Sequence, residues 1–89
     1  MHPHEVEFQI RNLVRASNYR GAETILIELK NYSGKLTEDQ LSRICFAALT
    51  NEQIYNCYNC KGHLMVLLKK NQDSIDKSQY DEVLKKISG

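Results

Sequence analysis

Apolar side chains recur along the chain at spacings of three and four residues, the period that places them on one face of an α-helix. The clearest case is "TEDQLSRICFAAL", residues 37–49. Its apolar positions are Leu41, Ile44, Cys45 and Ala48. Thr37 precedes Gln40 by three residues, which is the spacing of a capping box at a helix start. The segment therefore predicts a capped amphipathic helix.

The same start signal occurs twice more, each time ahead of an apolar stripe. Asp76 precedes Gln79 by three residues, and Thr50 precedes Gln53 by three. The stripes that follow are Tyr80, Val83, Leu84 and Ile87 in the first case, and Ile54, Cys57 and Tyr58 in the second. Both segments predict helices with one buried face.

Two further helices are predicted nearer the start of the chain. Pro3 suits the first turn of a helix, where its missing amide donor costs nothing. Gly34 suits the residue that follows a helix end. The apolar stripes are Val6, Ile10, Leu13 and Val14 in the first helix, and Ala22, Ile25, Leu26 and Leu29 in the second.

Together these patterns predict one all-α domain that spans residues 1–89. The predicted helices cover residues 3–16, 19–32, 37–49, 51–71 and 76–88, and Gly62 is a potential break in the fourth. No extended period-two alternation indicates a strand. We expect four to five antiparallel helices, arranged as a short helical-repeat-like superhelix or as an irregular bundle.

An imperfect internal similarity supports the superhelix. "NYRGAETILIELKN" aligns with "NCKGHLMVLLKKN", so that Gly21 matches Gly62 and Leu26 matches Leu67. The spacing of about forty residues is typical of stacked helix pairs. The alternative is that amphipathic helices with similar starts align by chance.

One segment resembles a known helical repeat. In "SNYRGAETILIEL", Tyr19 stands three residues before Ala22 and Leu26 stands four after it. This is similar to the second helix of a tetratricopeptide repeat, where the small residue lets paired helices approach and the aromatic packs at their corner. The likeness covers residues 3–34, about one repeat. Three positions depart from the family's tryptophan, central glycine and closing proline: Val6, Ile10 and Gly34.

In size and pattern the chain is also similar to the small helical co-chaperones that hold needle subunits of type III secretion systems. The resemblance implies helix pairing and the capture of a helical segment from another protein. A secretion chaperone is thus one form of the expected function.

Charge and hydropathy exclude several classes of partner. Lys and Arg number 12 against 11 Asp and Glu, giving a formal charge of +1 without a block of like charges. Nucleic-acid binding is therefore not expected, although a small nucleic-acid-associated protein using Arg11, Arg15 and Arg20 is the alternative. No apolar run approaches the ~20 residues of a bilayer span, and "MHPHEVEFQ" lacks the features of a signal peptide. We expect a cytoplasmic protein with no membrane partner.

"NCYNCKGH", residues 56–63, has spacings similar to those of the ligands in a zinc site. Its candidate ligands are Cys57, Cys60 and His63, and Cys45 is the one other thiol. Spacings of three along a straight helix rotate successive side chains by about 60°, so they would fan out rather than converge on one ion. Free cysteine also behaves as a small buried hydrophobe. We expect no metal and no cofactor, with a zinc-stabilised regulatory protein as the alternative.

Catalytic constellations are equally incomplete. Cys60 and His63 stand three residues apart, but no third group is apparent to orient them. His2 and His4 lie at the terminus, where chains fray. Each glycine stands alone, so no loop of successive amides is built to hold a phosphate. We expect a protein that is not an enzyme.

Apolar residues outside the stripes are the candidate binding residues. Ile27 and Phe46 lie roughly 100 to 140° away from the stripes of their own helices. Tyr32, Tyr55 and Tyr58 add aromatic area with polar tips, which binding surfaces favour. The structural alternative is that helices burying two faces place Ile27 and Phe46 in an ordinary core.

These five residues predict a groove that accepts an amphipathic helix from another protein. The expected function is a non-catalytic adaptor or small chaperone. An immunity or antitoxin-type protein would use the same physical mode, and so would a homo-oligomer that associates through the same residues.

Overall fold

The computed structural model describes residues 2–88, in which there are six α-helices, one short 3-10 helix and no strand. The α-helices are α1 (Pro3–Val14), α2 (Tyr19–Asn31), α3 (Glu38–Thr50), α4 (Glu52–Tyr55), α5 (Tyr58–Lys70) and α6 (Lys77–Ser88). The 3-10 helix, Gln72–Ser74, lies between α5 and α6. The predicted all-α class is confirmed.

Side-chain caps fix where the helices begin. The capping box predicted for α3 is confirmed, because Thr37 Oγ1 accepts from the Gln40 amide at 3.1 Å and Gln40 Oε1 accepts from the Thr37 amide at 2.9 Å. In α2 the cap is Asn18, whose Oδ1 accepts from the Gly21 amide at 2.8 Å. The start predicted at Thr50 is wrong by one residue. Thr50 ends α3, and the N-cap of α4 is Asn51.

The fourth predicted helix is divided in two, which raises the number of α-helices above the four to five expected. The break falls at Asn56 and Cys57 rather than at Gly62, which lies inside α5. Cys57 adopts an extended backbone with φ −96° and ψ 116°, and its sulfur caps α5. Cysteine is not among the residues that usually occupy an N-cap, such as Ser, Thr, Asp and Asn. The sequence pattern therefore did not predict this helix boundary.

The five longer helices form a closed circuit around one core. Helix α1 packs on α2 and α3, α2 packs most extensively on α5, and α6 closes the circuit by packing on α3 and α5. Helix α4 contacts α2, α3 and α5. Of the two predicted arrangements, the irregular bundle describes this circuit.

The apolar stripes mostly point into this core, as predicted. The stripe residues that are buried are Val6, Ile10, Leu13, Ala22, Leu26, Leu29, Leu41, Ile44, Cys45, Ala48, Ile54, Val83 and Ile87. The prediction that Val14 faces the core is wrong, since Val14 is 37% exposed at the end of α1. It lies one helical step of about 100° past the buried Leu13. The prediction that Tyr58 belongs to a buried stripe is also wrong, because Tyr58 is 88% exposed at the start of α5. Ile25, Tyr80 and Leu84 are half-buried.

Asn51 joins the end of α1 to the start of α4. Its Nδ2 donates to the carbonyls of Leu13 at 3.3 Å and Ala16 at 3.0 Å, while its Oδ1 accepts from the Gln53 amide at 2.9 Å. One amide side chain thus bonds two carbonyls at and just after the end of α1 and also caps the next helix.

A polar cluster joins α1 to α3 on the surface. Arg43 Nη2 lies 2.8 Å from Glu7 Oε2, and Gln40 Nε2 donates to Glu7 Oε1 at 3.0 Å. These hydrogen bonds from Gln40 and Arg43 lower the pKa of Glu7 from its ordinary 4.5. The carboxylate therefore stabilises the fold above pH 4.5, and this contribution is lost as the pH falls through the lowered pKa.

Glu7→Gln should therefore remove part of the stability at pH 7 and change little at pH 3. The Glu7 side chain is 40% exposed, so the loss at pH 7 should be at most about 1 kcal/mol. Urea unfolding of both proteins at the two pH values measures it. An equal loss at both would show that Glu7 acts through packing rather than through its charge.

Candidate functional site

The structure does not bring the four candidate metal ligands together at one point. Cys57 caps α5 and is half-buried, and Cys60 follows one turn later in the core. His63 faces α2, with Nδ1 at 3.0 Å from Lys30 Nζ and Nε2 at 3.9 Å from Glu23 Oε1. Cys45 lies in the core on α3. Across residues 2–88, no three His, Cys, Asp or Glu side chains are placed to hold one metal ion.

Burial disfavours ionisation of the two core thiols. Burial raises the pKa of Cys45 to about 11, and the charge of Glu82 acts in the same direction. Burial also raises the pKa of Cys60, and the neighbouring Cys57 thiol adds to this effect. Cys60 Sγ lies 3.7 Å from the Tyr19 carbonyl oxygen and 3.8 Å from the Gln53 carbonyl oxygen, and either oxygen can accept a hydrogen bond from the thiol.

The five predicted binding residues lie on different parts of the surface. Ile27 and Tyr32 are half-buried and line one shallow depression of about 350 Å³. Phe46 is 50% exposed on α3. The Tyr55 ring is half-buried, with Lys86 Nζ 4.3 Å from its centroid. Tyr58 lines two other depressions, one beside Cys57 and one between α5 and α6.

A depression with apolar side chains in its lining lies between α5 and α6. It has a volume of about 600 Å³. We call it the α5–α6 groove, and its residues are Tyr58, Asn59, Lys61, Gly62, His63, Met65, Val66, Ile87 and Ser88. Val66 is 52% exposed, whereas Ile87 is 5% exposed and contributes from the core side.

An exposed stripe runs along the α5 side of this groove. Tyr58, Gly62 and Val66 follow one another at intervals of four residues, so they share one face of the helix. The opposite side of α5 buries Leu64, Leu67 and Leu68. Helix α5 is therefore apolar on two sides, and only one side is used by the core.

Gly62 is unusual within that stripe. A Cβ placed on Gly62 would meet no atom within 4 Å, and its backbone is ordinary helix with no positive φ. Glycine inside a helix costs about 0.5–1 kcal/mol relative to alanine. Neither packing nor backbone conformation within the described chain requires a glycine here.

The ionisable side chains Lys61 and His63 that line the groove are basic. Lys61 is the one lining residue with a permanent charge, and His63 is the other basic side chain. No lining residue is acidic. A carboxylate on a bound partner would therefore find a complementary charge at Lys61 and no like charge among the lining residues.

Tyr58 was predicted from the sequence as a binding residue, and it lines this groove, whereas Gly62, Met65 and Val66 were not named. The four-residue spacing from Tyr58 to Val66 was the available signal. It was hidden because the buried residues of α5 interleave with it, and the sequence alone does not say which side faces the core.

Comparison of the chain with protein-family models, with curated proteins and with solved structures gave no match. Among residues 2–88, none of the helices combines the length and the apolar composition needed to cross a bilayer. Any role for this chain therefore has to be inferred from its own geometry.

Proposed function

We propose that the protein is a non-catalytic adaptor or small chaperone, and that its α5–α6 groove holds an amphipathic helix of another protein. The observation that carries the proposal is Gly62, a glycine that the described chain does not need. It lies at the middle of an exposed apolar stripe between Tyr58 and Val66. Glycine is the residue that lets another backbone approach closely.

The dimensions of the stripe fit a short helical segment. Tyr58 and Val66 are separated by eight residues of α5, which corresponds to about 12 Å along the helix axis. Packed helices lie about 8–10 Å apart, with the smaller distances where small side chains meet. A partner helix crossing at Gly62 would therefore contact Tyr58 on one side and Val66 on the other.

The partner's side chains follow from the groove's chemistry. Apolar anchors at intervals of three, four and seven residues would lie against Val66, Met65 and Tyr58. An Asp or Glu beside them would face Lys61. Apolar burial supplies about 25 cal/mol per Å² removed from water, so the complex should depend little on salt. Nucleic-acid binding through Arg11, Arg15 and Arg20 would instead weaken steeply as salt rises.

The tetratricopeptide-like segment supports the same class of function. Ala22 and Leu26, two of the residues that carry the resemblance, are fully buried. The resemblance implies a small residue where two paired helices approach closely, and Ala22 is that residue here. A secretion chaperone is the form of this function that the likeness favours.

Gly62→Ala should raise the free energy of unfolding by about 0.5–1 kcal/mol, because the methyl group has open space and alanine is the better helix former. The same methyl group should weaken partner binding, since it occupies the place where the partner helix approaches. Urea unfolding measures the first effect, and quantitative co-purification from the native cell measures the second.

Gly21→Ala is the matched control at the start of α2, where an added Cβ would lie 3.4 Å from Asn18 Oδ1. It should leave co-purification unchanged. If Gly62→Ala is more stable than wild type and still retains its partner fully, the groove is not the binding surface. If Gly62→Ala is less stable than wild type, the open space inferred at Gly62 is wrong.

A further inference from the structure

Two thiols meet at the start of α5. Cys57 lies just outside the helix, at its N-cap, and Cys60 lies one turn inside. Cys57 Sγ accepts a hydrogen bond from the Cys60 amide at 3.2 Å. The Cys57 side chain is thus turned back over the first turn of the helix, toward the residue that carries the second thiol.

This placement differs from that of two cysteines inside a regular helix. Residues three apart within a helix have Cβ atoms about 5–6 Å apart, whereas a disulfide needs about 3.5–4.5 Å. The extended backbone of Cys57, with ψ 116°, frees its side chain from the helical direction. The capping contact holds Cys57 Sγ 3.2 Å from the Cys60 amide nitrogen, on the side of Cys57 that faces Cys60.

The two sulfurs differ in access to solvent. Cys57 is half-buried and lines an open depression of about 360 Å³. The other lining residues of this depression are Tyr19, Glu52, Gln53, Asn56, Tyr58 and Asn59. Cys60 is fully buried, against the carbonyls of Tyr19 and Gln53. A small molecule can reach Cys57 from the depression, whereas Cys60 is closed to solvent.

We propose that Cys57 and Cys60 form a redox-active dithiol site that exchanges with small disulfides and closes to an intrachain disulfide. Cys57 is the attacking thiol and Cys60 is the resolving thiol. The inference does not depend on the proposed binding of a partner helix.

The chemistry proceeds in two steps. The Cys57 thiol loses its proton, and its sulfur attacks one sulfur of the small disulfide, which forms a mixed disulfide and releases one thiol. The Cys60 thiol then loses its proton and attacks the Cys57 sulfur, which releases the second thiol. The protein's two thiols lose two electrons and two protons, and the small disulfide gains both, so the reaction balances.

Closure of the disulfide would also alter the contacts around α5. The Cys60 S–H that faces the Tyr19 and Gln53 carbonyls is lost on oxidation. Those carbonyls belong to α2 and α4, so oxidation should alter the packing where α2, α4 and α5 meet.

The test is incubation of the full chain with oxidised glutathione, followed by alkylation of free thiols and peptide mass spectrometry. Wild type and Cys45→Ser should both yield a Cys57–Cys60 disulfide that dithiothreitol reverses. Cys60→Ser should instead accumulate glutathione on Cys57. Cys57→Ser should react more slowly on the order of tenfold or more, because its remaining thiols are buried.

Three outcomes would overturn the proposal. They are stable glutathione on Cys57 of wild type, reaction of Cys45 as fast as that of Cys57, and no reaction at Cys57. Cys60→Ala provides a second resolving-thiol variant, and circular dichroism shows whether each variant keeps its helices. Even if both variants unfold, mapping the disulfide in wild type still decides the proposal.

Discussion

Leu67→Ala should lower the free energy of unfolding by about 2–5 kcal/mol, as large an effect as truncation of any fully buried leucine in this chain. Leu67 is fully buried on α5, the helix that packs most extensively on α2. Truncation removes apolar contact and leaves a cavity in a close-packed core. A domain of this size has roughly 4–13 kcal/mol of stability in total, so the variant should be near its unfolding threshold. Urea unfolding followed by circular dichroism measures the loss.

Val66→Ala is the matched control, because Val66 is the adjacent residue of the same helix and is 52% exposed. It should change the free energy of unfolding by no more than about 0.5 kcal/mol. Leu67→Met, which conserves volume, should cost less than about 1.5 kcal/mol. If Val66→Ala and Leu67→Ala cost the same, the assignment of the two sides of α5 is wrong.

Asn51→Ala should lower the free energy of unfolding by about 2 kcal/mol. The substitution removes the acceptor that caps α4 and the donor that serves the Leu13 and Ala16 carbonyls. Both helix ends lose partners at once, although Asn51 itself is only half-buried. Thermal and urea unfolding measure the loss.

Two variants separate the roles of the Asn51 amide. Asn51→Ser keeps an acceptor for the Gln53 amide but no longer reaches the α1 carbonyls, so it should lose about half as much. Asn51→Asp keeps the acceptor and replaces the donor with an oxygen that faces the carbonyls of Leu13 and Ala16. At neutral pH it should be at least as destabilised as Asn51→Ala. A stable Asn51→Asp would show that the contacts to α1 contribute nothing.

The sequence predicted helices wherever an apolar stripe followed a familiar cap. The Thr37 and Gln40 capping box and the stripe behind it were found because both obey local rules. The break before α5 was missed because the cap is a cysteine, whose sulfur is a weak acceptor and gives no standard signal.

The candidate site was only partly predictable, for a related reason. Tyr58 was recognised as an aromatic residue with binding character, and it lines the α5–α6 groove. Val66 and Gly62 were not recognised as candidate binding residues. Apolar residues lie on two sides of α5, and tertiary packing decides which side is buried. Ile27, Phe46, Tyr32 and Tyr55 lie away from the groove and remain separate predictions.

The most direct test of the proposed function compares co-purification by Val66→Asp, Phe8→Asp and Phe46→Asp, each made in the full chain and purified from the native cell. The three residues are similarly exposed, at 52%, 63% and 50%, so each substitution should leave helix content intact. We predict that Val66→Asp loses its stoichiometric partner while Phe8→Asp and Phe46→Asp retain it. Retention by Val66→Asp together with loss in Phe46→Asp would contradict the account and place binding on α3.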